Sequence, residues 1–144
     1  IQTNGNSEIE ASFPAIAGRI LLADDRRDVW RVGKYFLEKC GADVTVVENG
    51  RQAVDAVSDA ADCDDPFSLI LMDMQMPVMT GHEAVKELRS KGFNLPIIAL
   101  TADAMEGERE ACIEMGCNEY FPKPIDGPRL MNSVAELIKE YNNP

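Results

Sequence analysis

Acidic residues follow two apolar stretches of the sequence, at the point where each stretch ends. Asp24 and Asp25 come directly after the run 20–23, and Asp73 comes directly after the run 69–72. Short runs rich in branched apolar side chains are typical of buried strands in a parallel sheet. Ligands bind just beyond the carboxyl ends of such strands, so we expect the three carboxylates to meet at one edge of one sheet.

Carboxylates held close together repel one another unless a cation neutralises them. The residues in this set offer only oxygen ligands, which hard divalent ions prefer. The sequence therefore predicts a Mg²⁺ site, with Mn²⁺ as the alternative ion.

Two further polar residues are predicted at the same edge. Thr101 ends the fourth apolar run, and Lys123 lies between two prolines after a short fifth run. Taken alone, such a threonine is an ordinary helix-capping residue and such a lysine is a solvated turn residue. Together with three acids, they suit an anionic group bound next to a metal, which is the arrangement that phosphoryl transfer uses.

Apolar runs alternate with amphipathic helical patterns along the chain. The predicted strands cover about 19–23, 44–47, 68–72, 96–100 and 118–121. A helical pattern follows each strand, and the fourth helix, over about 104–115, has a thin apolar face of Met105, Cys112 and Met115. This alternation predicts an α/β domain, a doubly wound parallel sheet with helices on both faces.

Composition indicates one small domain with no affinity for polyanions. The chain has 144 residues, is 45% hydrophobic and carries a net charge of -11. That charge counts against binding to nucleic acid or to anionic lipid. No apolar stretch approaches the roughly 20 residues of a membrane helix. Residues 1–18 are polar and aperiodic, which predicts a linker or disordered tail before a domain at 19–144.

The cysteines and the single histidine form no metal-binding motif in the sequence. Cys40, Cys63, Cys112 and Cys117 include no Cys-x-x-Cys pair, and His82 is far along the chain from any cysteine pair. Zinc is therefore not predicted, and reduced structural cysteines in a cytosolic protein are expected. His82 falls at the start of the third predicted helix, where we interpret it as solvent-facing.

Taken in order over about residues 19–141, these motifs resemble those of receiver domains in two-component response regulators. Residues 73–81, Asp-Met-Gln-Met-Pro-Val-Met-Thr-Gly, are similar to the phosphoacceptor loop of that family. Asp24-Asp25 matches its acidic pair, and Thr101 and Lys123-Pro124 match its switch threonine and lysine-proline pair. The stretches 99–104 and 120–125 resemble receivers fused to hybrid sensor histidine kinases. Thr80 stands where the family often has Asp or Asn, outside the reaction centre.

The resemblance implies a flavodoxin-like (βα)5 fold with strand order 2-1-3-4-5. It implies that Asp73 is the phosphoacceptor, which attacks a phosphohistidine on a histidine kinase or histidine phosphotransfer protein. Mg²⁺ would be held by Asp25, Asp73 and the backbone carbonyl of Gln75, with Asp24 acting mainly through water. Lys123 would contact the phosphoryl oxygens as a point charge.

A conformational switch is also implied by the resemblance. Thr101 would move toward the phosphorylated aspartate, and Tyr120 would rotate into the space it leaves. The face formed by the fourth helix, fifth strand and fifth helix would change shape, and it is a candidate dimer surface. Gln75 and Asp103 would set how readily water reaches the acyl phosphate. The peptide bond between Lys123 and Pro124 is expected to be cis.

The resemblance further implies a domain that promotes its own phosphorylation and dephosphorylation. The parent protein would be a histidine kinase, and the domain would lie in the cytoplasm, either free or tethered to the membrane through the rest of the parent chain. A stand-alone single-domain response regulator and a degenerate scaffold are alternatives. A haloacid-dehalogenase-like phosphatase needs a second acid where this chain has Gln75. A flavodoxin-like electron carrier needs a phosphate-binding loop where this chain has the charged run 24–27.

Overall fold

The computed structural model describes residues 13–102 and 107–142. Within these residues, five parallel strands form one sheet in the order β2-β1-β3-β4-β5. The strands are β1 (Arg19–Ala23), β2 (Asp43–Val47), β3 (Leu69–Asp73), β4 (Ile97–Thr101) and β5 (Glu119–Pro122). The predicted α/β class and the 2-1-3-4-5 strand order are both confirmed.

Helices cover both faces of the sheet. In the described part of the chain they are α1 (Arg27–Lys39), α2 (Gly50–Asp62), α3 (Gly81–Ser90), α4 (Glu108–Met115) and α5 (Gly127–Asn142). One cluster of buried apolar residues lies between the sheet and α2, α3 and α4, and a second lies between the sheet and α1 and α5. None of these described helices combines the length and the hydrophobicity needed to cross a bilayer.

The three central strands form the most deeply buried part of the molecule. Strands β3 and β4 are buried along their whole length, and β1 is buried after its first residue. Side chains alternate between the two clusters, so Leu21 packs under one set of helices and Leu22 under the other. Burial on both faces explains why these strands are continuous apolar runs in the sequence. The residues at their carboxyl ends are therefore held on a rigid base.

Local hydrogen bonds define the starts of two helices. The Asn49 side chain accepts a hydrogen bond from the backbone N–H of Gln52 and so caps α2. Thr80 and Glu83 form a reciprocal capping box at the start of α3. Each cap satisfies backbone N–H groups that have no partner within the helix. Thr80, the departure from the family pattern, thus has a local structural role.

The described residues ahead of β1 pack against the domain. Ile16 is 2% exposed, and its backbone N–H donates to the carbonyl oxygen of Cys40 at 2.9 Å. The Phe13 ring meets Phe36 edge-on, with ring centroids 5.8 Å apart. The packed structure thus includes described residues of the stretch predicted to be a tail. The rest of that stretch, residues 1–12, and Asp103 and Met105 lie outside the described residues.

Candidate functional site

Three carboxylates meet at the carboxyl edge of the sheet. Asp24 and Asp25 follow β1, and Asp73 is the last residue of β3. One oxygen atom of each residue lies within 4.8 Å of the others. Asp24 and Asp73 are buried, whereas Asp25 is exposed. The structure thus brings together the three acids that the sequence placed at one edge, and it leaves one side of the group open to solvent.

Lys123 inserts its ammonium group between the two buried acids. Its Nζ lies 3.0 Å from Asp24 Oδ2 and 3.3 Å from Asp73 Oδ1. The lysine side chain is only 13% exposed, so water screens these interactions weakly. The backbone N–H of Lys123 donates to the carbonyl oxygen of Thr101 at 2.7 Å, which joins the ends of β5 and β4. The peptide bond between Lys123 and Pro124 is cis, as the resemblance implied.

The oxygen atoms of Asp24 differ in how they are satisfied. Oδ1 accepts a hydrogen bond of 2.9 Å from the backbone N–H of Arg26. Oδ2 is buried and accepts no hydrogen bond of acceptable geometry from the described residues, although Lys123 Nζ is close to it. A buried carboxylate oxygen without a directed partner is costly. An all-oxygen donor set with such an oxygen fits a hard divalent cation such as Mg²⁺.

Burial raises the pKa of Asp73 above its ordinary value. A hydrogen bond of 3.1 Å from the backbone N–H of Gln75 to Asp73 Oδ1 opposes that rise. The negative charge of Asp24 raises the pKa further, and the Lys123 ammonium lowers it. The balance remains on the raised side, so ionised Asp73 is not fully compensated by the side chains around it.

The loop after Asp73 is held against the end of β3. A Cβ atom at Gly81 would collide with the carbonyl oxygen of Asp73, and it would lie 2.8 Å from Met74 Cα. Only glycine allows that close approach of two backbone segments. Met74 is buried and its N–H donates to the carbonyl oxygen of Leu100 at 3.0 Å, whereas Gln75 is exposed beside the acids. The Gly81 contact therefore sets the path of the loop around the site.

The two predicted switch residues lie on neighbouring strands. Thr101 ends β4 and is 1% exposed. Asp73 is paired in register with Leu100, so Thr101 lies one position beyond the partner of Asp73. Tyr120 lies on β5, is half-buried and packs against the cluster under α2, α3 and α4. Asp103, which was predicted to flank the site, lies outside the described residues.

His82 is not the solvent-facing residue that the sequence indicated. It is half-buried in the first turn of α3, and one of its ring nitrogens lies within 4.8 Å of a Glu108 carboxylate oxygen and of Cys112 Sγ. These residues are far apart in the sequence, and the packing of α4 beside α3 brings them together. Burial, followed by the charge of Glu108, raises the pKa of the Cys112 thiol. No sequence motif signals this second cluster.

Comparison with known proteins identifies the family. A family model described as "Response regulator receiver domain" matches residues 20–135. The chain belongs to this family. It is 36% identical to hybrid signal transduction histidine kinase I of Dictyostelium discoideum over 96% of this chain, and it spans 8% of that kinase. It is 38% identical to two-component response regulator ORR41 of Oryza sativa subsp. japonica, over 83% of this chain and 93% of the regulator.

A solved structure of a similar receiver supports the same conclusion. The receiver domain of sensor histidine kinase PA1611 from Pseudomonas aeruginosa, which holds a magnesium ion in its active-site cleft, is 35% identical to this receiver. The two superpose with a TM-score of 0.75 over 86% of this chain and 99% of that one. The protein is thus a receiver domain of two-component signalling, homologous to receivers of hybrid histidine kinases. These matches favour neither the phosphatase nor the electron carrier.

Proposed function

We propose that this receiver accepts a phosphoryl group on Asp73 from a phosphohistidine of a histidine kinase or histidine phosphotransfer protein. The observation that carries the proposal is the position of the Asp73 carboxylate, beside Lys123 and within 4.8 Å of two further acids. This arrangement combines a nucleophile with an adjacent positive charge at the open edge of a rigid sheet. Phosphoryl transfer depends mostly on such positioning and charge neutralisation.

The contacts of Asp73 distinguish its two oxygen atoms. The Gln75 N–H and the Lys123 ammonium both approach Oδ1. We assign Oδ2 as the attacking atom, because the two contacts hold the carboxylate through the other oxygen. In the reaction, Oδ2 forms a bond to phosphorus while the bond from phosphorus to the donor imidazole breaks. The imidazole nitrogen keeps the bonding pair, and Asp73 becomes an acyl phosphate.

Asp24, Asp25 and Asp73 would hold a Mg²⁺ ion, with the backbone carbonyl of Gln75 as a further ligand and Asp24 acting mainly through water. The donor set and the unsatisfied Asp24 Oδ2 support this assignment. When bound, the ion supplies positive charge that offsets the repulsion between the carboxylates and the phosphoryl oxygens. Mn²⁺ shares these ligand preferences and is the alternative ion.

Lys123 would change partners during the reaction. Its ammonium now neutralises part of the charge on Asp24 and Asp73. The phosphoryl group brings new anionic oxygens to the same place, and a flexible ammonium can turn to meet them. Lys123 therefore acts on the reacting oxygens directly, as a catalytic residue.

Thr101 and Tyr120 are the proposed switch. The buried Thr101 hydroxyl would hydrogen-bond to the phosphoryl oxygens, and Tyr120 would turn inward as the threonine moves. Because Tyr120 packs against the cluster under α4, its movement would alter the face formed by α4, β5 and α5. That face is the proposed surface for the output partner or for a second copy of the domain.

We propose a hybrid histidine kinase of the cytoplasm as the parent protein, and the likeness to the Dictyostelium kinase supports this context. The similar likeness to ORR41 supports a stand-alone response regulator as the alternative. The domains encoded on either side of this receiver in its gene distinguish the two. A histidine kinase core upstream establishes the hybrid arrangement, and its absence from the whole gene product overturns it.

Phosphorylation with a small donor tests the site assignment. Acetyl phosphate and Mg²⁺ should add one hydroxylamine-labile phosphate per chain, detected by mass spectrometry. Asp73→Asn should abolish the labelling, and Lys123→Ala should strongly reduce it. Asp55→Asn changes an exposed carboxylate on α2 and serves as the matched control, with labelling unchanged. Full labelling of the Asp73 variant would show that another residue is the nucleophile.

A further inference from the structure

A second group of metal-binding atoms lies where α4 packs beside α3. His82 belongs to the first turn of α3, and Glu108 and Cys112 belong to α4. Each offers one donor atom, and the three atoms lie within 4.8 Å of one another. The group shares no residue with the acid trio, and the proposed phosphoryl transfer does not use it.

The geometry of the two helices accounts for this meeting. Glu108 and Cys112 are four residues apart on α4, so they project from the same face of that helix. The histidine reaches them from the neighbouring helix. Cys112 is fully buried, while His82 and Glu108 are half-buried, so the histidine and the glutamate form the solvent-facing side of the group.

The donor set indicates the class of ion. Imidazole nitrogen, carboxylate oxygen and thiolate sulfur are the ligands that Zn²⁺ takes, whereas Mg²⁺ prefers oxygen alone. Bonds of about 2.0–2.3 Å to a tetrahedral zinc put the ligand atoms roughly 3–4 Å apart. The three ligand atoms lie within 4.8 Å of one another, so they are up to about 1 Å farther apart than in a metal-bound site. Small side-chain torsions can remove that difference.

The ligand atoms have little competing use. Among residues 13–102 and 107–142, no hydrogen bond or ion pair involves the His82 ring or the Glu108 carboxylate. By contrast, Glu119 of β5 is engaged in an ion pair with Arg109 at 2.8 Å. An imidazole and a carboxylate held beside a buried thiol without such partners are available to an ion.

We propose that His82, Glu108 and Cys112 form a Zn²⁺ site that cross-links α3 to α4. Three protein ligands leave the fourth tetrahedral position to water or to a group from another molecule. The bound ion would hold the first turn of α3, which directly follows the Asp73 loop, against the helix that begins the α4 face. Zinc would therefore stabilise the folded receiver independently of the acid trio.

Zinc binding in the presence of excess Mg²⁺ tests the proposal, because Mg²⁺ saturates the acid trio and competes poorly for imidazole and thiolate. Calorimetry on the reduced protein should show one Zn²⁺ per chain. Co²⁺ in its place should give tetrahedral visible bands and a sulfur-to-cobalt charge-transfer band. His82→Ala and Glu108→Gln should each weaken Zn²⁺ binding by about 100-fold or more, since loss of an outer-shell partner alone costs 10–100-fold.

Matched variants separate this site from other zinc-binding groups. Glu110→Gln changes an exposed acid on the same helix, and Cys63→Ser removes the exposed thiol, and both should bind Zn²⁺ as the parent does. Asp25→Ala should also leave Zn²⁺ binding unchanged. The proposal is wrong if His82→Ala and Glu108→Gln bind as tightly as the parent, or if Asp25→Ala alone abolishes binding. Cys112→Ser should remove the charge-transfer band, and if that variant does not fold, the other two still decide.

Discussion

Two partly buried cationic side chains in this receiver have opposite environments. Arg89 of α3 meets only neutral acceptors, and no carboxylate pairs with it in the described residues. Its guanidinium donates hydrogen bonds of 2.8–3.1 Å to the carbonyl oxygens of Phe93, Leu95 and Gly116 and to the side chain of Asn118. Burial lowers the pKa of Arg89, but a guanidinium stays charged at physiological pH. Each bond ties a loop end to α3.

Lys123, by contrast, lies between two acids and leaves the group incomplete. One oxygen of Asp24 has no directed hydrogen bond among the described residues, and burial raises the pKa of Asp73. The arginine has all its partners within the fold, so that region gains nothing from a ligand. The three acids carry more negative charge than Lys123 neutralises. A bound cation or a transferred phosphoryl group can therefore change the electrostatic energy of this group. Incomplete charge compensation thus distinguishes the proposed phosphoryl-transfer site from the structural site around Arg89.

Removing Arg89 should produce the largest loss of stability. Arg89→Ala leaves several carbonyl oxygens of the α3–β4 and α4–β5 loops without their donor, so we expect a loss of about 2–4 kcal/mol in the free energy of unfolding. Urea denaturation measures it. Arg89→Lys should recover little, because an ammonium cannot match the fork of donors. Arg51→Ala, which breaks a partly exposed ion pair with Glu87, is the control and should change stability much less. Equal losses of unfolding free energy in Arg89→Ala and Arg51→Ala would contradict the structural role assigned to Arg89.

Neutralising Asp73, the proposed phosphoacceptor, should change stability in the opposite direction. In metal-free buffer at neutral pH, Asp73→Asn should stabilise the fold by about 1–2 kcal/mol, since it removes an incompletely compensated buried charge. The pKa of Asp73 is higher in the folded state than in the unfolded chain. The stabilising contribution of Asp73 is thus fully present below the pKa that it has in the unfolded chain. That contribution is lost as the pH rises through the pKa that it has in the folded state.

The pH dependence checks the cause of that stabilisation. The advantage of Asp73→Asn should be absent in acid, where both forms of the protein are neutral at this position, and it should grow as the pH rises. Thermal unfolding of the two proteins across acidic to neutral pH measures the difference. A constant advantage at every pH would point to packing instead of charge.

Mg²⁺ should neutralise the excess negative charge of the three acids and so stabilise the fold. At a concentration ten times the dissociation constant, the ion should stabilise the folded receiver by about 1.4 kcal/mol. Differential scanning fluorimetry follows the shift in Tm. Asp25→Ala and Asp73→Asn should lose most of this gain, whereas Arg89→Lys should keep it. An equal Mg²⁺ response in Asp25→Ala would overturn the ligand assignment.

The capping box at Thr80 shows that groups with complete hydrogen bonding also occur close to the proposed phosphoryl-transfer site. Thr80→Ala should cost about 1 kcal/mol of stability, because the Glu83 N–H loses its acceptor at the start of α3. Thr80→Asp should retain the cap. Both variants should still be phosphorylated by acetyl phosphate, since Thr80 lies outside the proposed reaction centre. Loss of labelling in Thr80→Asp would show that the loop tolerates less change than we expect.

The strand ends of this protein are readable in the sequence because their signals are local. Continuous apolar runs mark strands buried on both faces, and the polar residues that end the runs must lie at the carboxyl edge. Asp24, Asp73 and Thr101 are therefore predictable at one edge from the sequence alone. The burial of Ile16 is not predictable in this way, since a single apolar residue in a polar stretch carries no periodic signal.

Contacts between residues on different helices and strands cannot be predicted from such local patterns. The cysteine and histidine pattern predicted no zinc site, yet α3 and α4 bring His82, Glu108 and Cys112 together. The acceptors of Arg89 are mostly backbone carbonyls, and every residue has one, so composition cannot reveal which of them meet a given side chain.

The strands, the helices, their order and the edge where the acids lie follow from the amino-acid sequence, because periodicity and polarity at the strand ends are properties of neighbouring residues. The three-dimensional packing is needed to show which distant side chains share a site, how fully each charge is compensated and which glycine admits a close backbone approach. Those features depend on distances across separate elements, and such distances are set by the packing of helices on the sheet.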